Sequence, residues 1–236
     1  MGREKVFRFK QFSVLNDRTA MKVGTDGVLL GAWCPVAGVR RALDVGTGCG
    51  VIGLMIAQRN SEVMIDAIDI DYDAVEEATT NFANSPWSNR LTAMEQDFND
   101  IDKVSCYDLI VSNPPYFTNG VRPTGNARTT ARHTGHLTYR QLIEGASRLL
   151  NDDGSLALIS PVDVERDIIE ATTFASLEIR CQTYVIPVEG SGPKRILWLL
   201  SRQQAAFHQE TLIIADRNGN FTRDYIALTG DFYLKL

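Results

Sequence analysis

The sequence predicts an α/β fold, a seven-stranded, mostly parallel, doubly wound sheet with an antiparallel edge strand. Short β-branched or apolar runs alternate with segments of helical spacing, the pattern of strand-helix-strand crossovers. A glycine-rich turn, Gly46-Thr47-Gly48-Cys49-Gly50, joins the first run to the first helix. Late in the chain two runs are joined by the turn-forming stretch 188–193, which reads as an antiparallel pair at a sheet edge.

Taken in order, strands are expected at 41–45, 63–69, 90–95, 107–111, 155–160, 178–187 and 194–201, with helices at 51–59, 73–84, 138–150 and 163–174. The third of these helices runs into Asn151-Asp152-Asp153-Gly154, a stop signal. Asn218-Gly219 marks one more tight turn. The connection 112–137 is outsized, and loops of that length inside a compact domain usually carry function. Without repeats or long linkers, one domain is expected over 1–236. It divides into an N-terminal covering segment (1–40), a core (41–201) and a C-terminal tail (202–236).

At 236 residues and 44% hydrophobic content, the chain can bury a core without staples. No apolar run approaches a membrane span, and no apolar stretch at the N-terminus resembles a signal peptide. Cys34, Cys49, Cys106 and Cys181 stand apart, with no metal spacing, which suits reduced thiols in the cytoplasm. Neither a membrane nor an obligate protein partner is expected.

The net charge is −5, yet it is unevenly spread. From 112 to 143 there is no Asp or Glu, while Arg122, Arg128, Arg132 and Arg140 give that stretch +4 and leave −9 elsewhere. Basic islands flank it, one holding Lys10 and another holding Lys194 and Arg195. The acid-free stretch and these islands make a candidate face for a polyanion.

The glycines alone do not name a ligand, because Gly48-Cys49-Gly50-Val51-Ile52-Gly53 also satisfies the dinucleotide pattern GxGxxG. Asp44 narrows the choice. A carboxylate at the strand tip repels a diphosphate and favours a cation, and S-adenosylmethionine offers a sulfonium and an ammonium with no phosphate. Asp69 closes the second strand about 20 residues further on, where a carboxylate accepts ribose hydroxyls. Asp71 reads instead as a helix cap. After the third strand, Asp97 offers an acceptor for an adenine amino group and Phe98 an apolar plate beside its ring.

Asn113-Pro114-Pro115-Tyr116 follows the fourth strand, at the carboxyl edge of the sheet where ligands of such folds sit. The prolines stiffen the backbone and remove two donors. The Asn113 side-chain oxygen and the Pro114 carbonyl could accept both hydrogens of a substrate NH2 whose lone pair is delocalised into a π system. Two fixed acceptors draw that nitrogen toward tetrahedral geometry and aim its lone pair, which is positioning plus electrostatics. Tyr116 would stack on the planar group, a contact worth ~1–3 kcal/mol. No general base is required before transfer.

In this order, the glycine turn with Asp44, then Asp69, then Asn113 to Tyr116 resemble class I S-adenosylmethionine-dependent methyltransferases of planar nitrogens, a Rossmann-like fold. A narrower resemblance lies at the two ends. FSVLNDRTAMKVGTDGVLLGAW (12–33) and DYIALTGDFYL (224–234) are similar to the bacterial tRNA1(Val) adenine-N6 methyltransferase family. That resemblance implies methylation of N6 of adenine 37, beside the anticodon of a valine tRNA. It implies that Asp44, Gly46, Gly48 and Gly50 cradle the methionine part of the cofactor, with Asp69 on the ribose and Asp97 and Phe98 on the adenine. Asn113 would stand at both the cofactor and the target base, and Lys22 and Asp26 would wall the cofactor. The family motifs place no basic residue on the RNA; the acid-free stretch and its flanking islands nominate Arg122, Arg128, Arg132, Lys10, Lys194 and Arg195 to meet RNA phosphates. Two other substrates share the Asn-Pro-Pro-Tyr chemistry, a protein glutamine and a DNA adenine. Only 40 residues precede the first strand, too few for the helical substrate domain of the glutamine enzymes, and little chain remains for a DNA-recognition domain. A nicotinamide-dependent dehydrogenase, or a non-enzymatic nucleotide-binding module, is opposed by Asp44 and by the proline motif.

Overall fold

The computed structural model describes residues 6–19, 22–114, 137–204 and 206–235. A short hairpin, β1 (Val6–Arg8) and β2 (Ser13–Leu15), precedes helix α1 (Thr25–Trp33). Then follow β3 (Arg41–Val45), α2 (Val51–Arg59), β4 (Met64–Asp69), α3 (Tyr72–Ala83), β5 (Leu91–Glu95) and β6 (Tyr107–Ser112). The remainder runs α4 (Tyr139–Leu149), β7 (Leu150–Pro161), α5 (Glu165–Phe174), β8 (Glu178–Val188), β9 (Arg195–Ser201), β10 (His208–Ala215) and α6 (Arg223–Thr229).

The main sheet has the order β10-β8-β9-β7-β6-β3-β4-β5. All seven expected strands are in it, and β10 adds an eighth, parallel to β8. The antiparallel strand is β9, but it lies between β7 and β8 rather than at the edge. The crossover through α5 lays β8 one strand-width beyond β7, and β9 fills that gap. The apolar run Leu212-Ile213-Ile214-Ala215 then covers the outer side of β8. Asn218-Gly219 makes the expected turn, with Gly219 at φ +86° and Ala215 bridged to Phe221. The Asn151-Asp152-Asp153-Gly154 stop does end α4 at Leu149, but the four residues are absorbed into β7 as a bulge, since pairing jumps from Tyr107↔Leu150 to Leu109↔Ser155.

Strand residues alternate between two apolar clusters, as the period of two requires. Ala42, Leu109, Val111, Ala157 and Leu197 face α1, α2 and α3, while Leu43, Ile110, Leu156, Leu158 and Trp198 face α4 and α5. Trp198 is fully buried and its indole N–H donates to Ser160 Oγ at 3.0 Å, which satisfies the polar atom that burial strands. On the other face, α1 presses on α2 through Gly31, where a Cβ would lie 2.9 Å from Met55 Sδ. Gly27 and Gly31 lower the intrinsic helix propensity of α1, so burial of Val28, Leu29 and Leu30 stabilises it instead.

From β3 the chain winds outward through β4 and β5, then returns to β6 on the other side of β3. Ligands bind outside the strand carboxyl ends at such a reversal. Ser112 Oγ donates to the Val45 carbonyl at 2.8 Å and so ties the tip of β6 to the tip of β3. The turn that follows β3 is set by Gly46, Gly48 and Gly50, at φ +69°, +55° and +82°. At Gly50 a Cβ would also lie 2.5 Å from the Phe82 ring. Gly50→Ala is therefore expected to cost roughly 2–4 kcal/mol from strain and overpacking, read as a lower midpoint in urea.

The two ends of the described chain clasp each other. Phe7 and Phe9 pack with Tyr233, Phe12 stacks on Phe9, and Phe9 bridges Tyr233. Lys10, expected on the polyanion face, belongs to this clasp. Its ammonium donates to the Gly230 carbonyl at the end of α6, where the helix dipole is negative.

Candidate cofactor and substrate site

Asp44 is the most constrained residue of the site. It is fully buried at the tip of β3, and its Oδ2 accepts from Thr47 Oγ1 at 2.7 Å and from the Gly53 amide at 3.2 Å. Its Oδ1 is buried and has no partner among the described residues. Burial, with the nearby Asp69 charge a lesser cause, pushes its carboxyl up to about 6. A buried carboxylate with one oxygen committed to the turn and the other left over suits a cationic donor group. The positive-φ positions Gly46 and Gly48 have no atom within 4 Å of where a Cβ would stand, so the backbone there is open to a ligand. These features fit S-adenosylmethionine.

Asp69, at the tip of β4, does double work. Its Oδ2 accepts from the Gly48 amide at 2.9 Å and its Oδ1 from the Asp71 amide at 3.1 Å, which leaves lone pairs for hydroxyl donors. Asp71 caps α3 by accepting from the Asp73 amide, as expected. Gln96 N–H donates to the Asp69 carbonyl, so the residues after β4 and after β5 are neighbours. Asp97 is exposed there and orders its own turn by accepting from the Asn99 amide and side chain.

Phe98 is placed otherwise than its expected role requires. It is 3% exposed, with its ring packed where a Cβ on Gly145 of α4 would fall at 2.4 Å. The ring anchors the Asp97 turn to the core and presents no open plate. The exposed apolar side chain beside Asp69 is Ile70, at 52%. The Cys49 thiol, inside the glycine turn, is pushed up to about 12 by burial, so it packs and does not act as a nucleophile.

Asn113 and Pro114 continue from β6, Asn113 half-buried and Pro114 buried. Gly27, in the first turn of α1, would carry a Cβ 4.0 Å from Asn113 Nδ2 and 3.5 Å from Val51 Cγ1, so α1, α2 and Asn113 converge. Neither Gly27 nor Ser112 carries a sequence signal, because each acts through a distant neighbour. Pro115, Tyr116, Arg122, Arg128 and Arg132 lie outside the described residues.

The segment before α1 is latched to α3. Glu77, nearly buried, accepts from the amides of Asp17 (2.8 Å) and Arg18 (2.6 Å) and from Thr19 Oγ1 (3.1 Å). Asn81 bonds both polar backbone atoms of Leu15 and donates to the Cys49 carbonyl at 2.8 Å, joining that segment to the glycine turn. Lys22 is exposed, its ammonium donating to the Asp17 carbonyl. Asp26 pairs with Arg195 at 2.9 Å. Arg195, expected among the phosphate contacts, thus has its charge compensated, whereas Lys194 beside it is exposed.

An acidic glycine turn and an Asn-Pro tip, facing each other across the reversal of a doubly wound sheet, define a class I methyltransferase. A family model for the methyltransferase small domain matches residues 24–186. A tRNA1(Val) (adenine(37)-N6)-methyltransferase of Aeromonas salmonicida is 46% identical, with all of both chains covered. Its counterpart in Tolumonas auensis is 42% identical, over 98% of this chain and 97% of its own. The chain belongs to the methyltransferase small-domain family and, within it, to the family of the tRNA1(Val) (adenine(37)-N6)-methyltransferases. A predicted O-methyltransferase from Agrobacterium tumefaciens shares the fold, at TM-score 0.66 and 19% identity over 88% of this chain and 96% of that one.

Proposed function

We propose that this chain transfers a methyl group from S-adenosylmethionine to N6 of the adenine at position 37, beside the anticodon of a valine tRNA. The observation that carries this reading is the convergence of Asp44, with its unshared buried oxygen, and the Asn113-Pro114 tip, tied together through Ser112. S-adenosylmethionine, when bound, supplies an electrophilic methyl carbon on a cationic sulfur.

The chain's own residues do the rest. Asp44 takes the ammonium on Oδ1, Gly46, Gly48 and Gly50 bring backbone against the methionine part, and Asp69 receives the ribose hydroxyls. Asp97 accepts the cofactor's adenine amino group, with Ile70 rather than the Phe98 ring as the apolar neighbour. Asn113 and Pro114 hold both hydrogens of the target N6 and aim its lone pair at the methyl carbon. Pro115 stiffens that tip, and Tyr116 stacks on the base. A base in an anticodon loop is already single-stranded, so drawing it out of its stack costs little.

Residues 1–40 form the cover, with Lys22 and the Glu77-latched segment over the cofactor, residues 41–201 the catalytic core, and 202–236 the tail. The RNA approaches over Arg122, Arg128, Arg132 and Lys194. Among the described residues no helix is long and apolar enough to cross a membrane, and a tRNA substrate is met in the cytoplasm.

Labelled S-adenosylmethionine offered in parallel with total tRNA, duplex DNA and a protein extract tests the reading. Label is expected in N6-methyladenosine from the tRNA. Label confined to methylglutamine in the protein arm, or to methyladenine in the DNA arm, would favour the other chemistry of the same motif.

A further inference from the structure

We infer that Tyr139 reads the target base directly, its hydroxyl donating to a ring nitrogen of the adenine whose amino group Asn113 and Pro114 hold. The inference rests on the adenine methylation proposed above and adds to it a residue that sets base identity. Tyr139 is the first residue of α4, where the chain re-enters the described structure at the carboxyl edge. Its backbone is fixed by a capping box. Thr138 Oγ1 accepts from the Gln141 amide, and Gln141 Oε1 accepts from the Thr138 amide.

The hydroxyl of Tyr139 is buried, yet it has no partner among the described residues. Buried phenols are ordinarily hydrogen-bonded, so an orphan on a fixed helix start at a ligand edge points to a ligand group. Burial is the main cause that raises its pKa, so the phenol stays protonated and able to donate.

The surroundings choose among ligands. Arg195 and Asp26 act on the Tyr139 hydroxyl with opposite sign, and they are paired with each other at 2.9 Å. Arg195 pairs in register with Pro161 at the carboxyl end of β7, the strand beside β6, so this cluster lies at the same edge as Asn113. A phosphate arriving there would meet the Asp26 carboxylate as well as a guanidinium already compensated. An uncharged acceptor meets no such conflict, and a purine ring nitrogen is one.

Tyr139→Phe in the full chain tests this against anticodon stem-loop RNA carrying adenine, 1-deaza-, 3-deaza- or 7-deaza-adenine at the target. The variant should be at least as stable as the parent, because no partner is lost, and should bind S-adenosylmethionine unchanged. Its kcat/KM on adenine RNA is expected to fall roughly ten-fold, the size of one lost hydrogen bond. One deaza analogue should lower the parent's kcat/KM by a similar factor and leave the variant's unaffected. Parental kcat/KM in Tyr139→Phe, or equal losses in parent and variant with every analogue, would overturn the inference. Failure of the parent to methylate adenine RNA would instead overturn the proposed reaction, and is read separately.

Discussion

Asn113→Ala is expected to lower kcat for methyl transfer by roughly 10²–10³-fold or more, the range seen when one preorganised polar group at a reacting centre is removed. In the proposed reaction the side chain would supply one of two acceptors for the target amino group, and the Pro114 carbonyl alone would leave that nitrogen planar and free to turn. Binding of S-adenosylmethionine should weaken only a few-fold, because the glycine turn, Asp44 and Asp69 are held by their own bonds to Thr47, Gly48 and Gly53. Calorimetry and single-turnover rates separate the two effects. Near-parental turnover in this variant would remove Asn113 from the reaction.

The second large effect belongs to Asp44. Asp44→Asn keeps the shape but removes the charge, and S-adenosylmethionine affinity should fall by about 100-fold, the scale of a charge-assisted bond lost in a buried site. The parent should show a matching pH dependence. Its folded-state carboxyl is raised to about 6 from an ordinary 3.8, mainly by burial. Between those two values the folded state holds a proton that the unfolded state has lost, so this group's contribution to stability falls as pH rises from about 4 to 6. Above pH 6 that destabilisation is complete, at roughly 3 kcal/mol, and levels off. Cofactor affinity moves the opposite way. The ammonium wants the carboxylate, so binding should tighten as pH rises through 6, with proton release below it. In Asp44→Asn both trends should disappear. A cofactor affinity flat from pH 5 to 8 in the parent would contradict this account of Asp44.

What the sequence made legible was what is local. The glycine turn, the acids at two strand tips, the Asp71 cap and the Asn-Pro tip are short-range patterns whose chemistry follows from spacing along one strand and its turn. What stayed hidden depends on partners far along the chain. Lys10 and Arg195 look like free cations until Gly230 and Asp26, the latter 169 residues away from Arg195, fall beside them. Phe98 reads as an adenine plate after Asp97 until Gly145 on α4 makes room for its ring in the core. Helix α1 was not legible because two glycines dilute its periodicity and its stability comes from burial against α2. Strand β10 is not legible because its apolar run follows the hairpin like a tail and only the open side of β8 makes it a strand. Charge followed the same division. The acids at Asp44 and Asp69 serve the glycine turn, and the −5 total says little about what the open edge of the sheet offers a polyanion.

The most direct test is position mapping. A valine tRNA anticodon stem-loop with adenine at 37, incubated with S-adenosylmethionine and digested for mass spectrometry, should carry one methyl group, on N6 of that adenine. The same stem-loop with guanine at 37 should remain unmodified. Methyl on a ribose oxygen or on N1, or an equal yield from the guanine stem-loop, would contradict a site built from Asn113 and Pro114 to hold an exocyclic amino group.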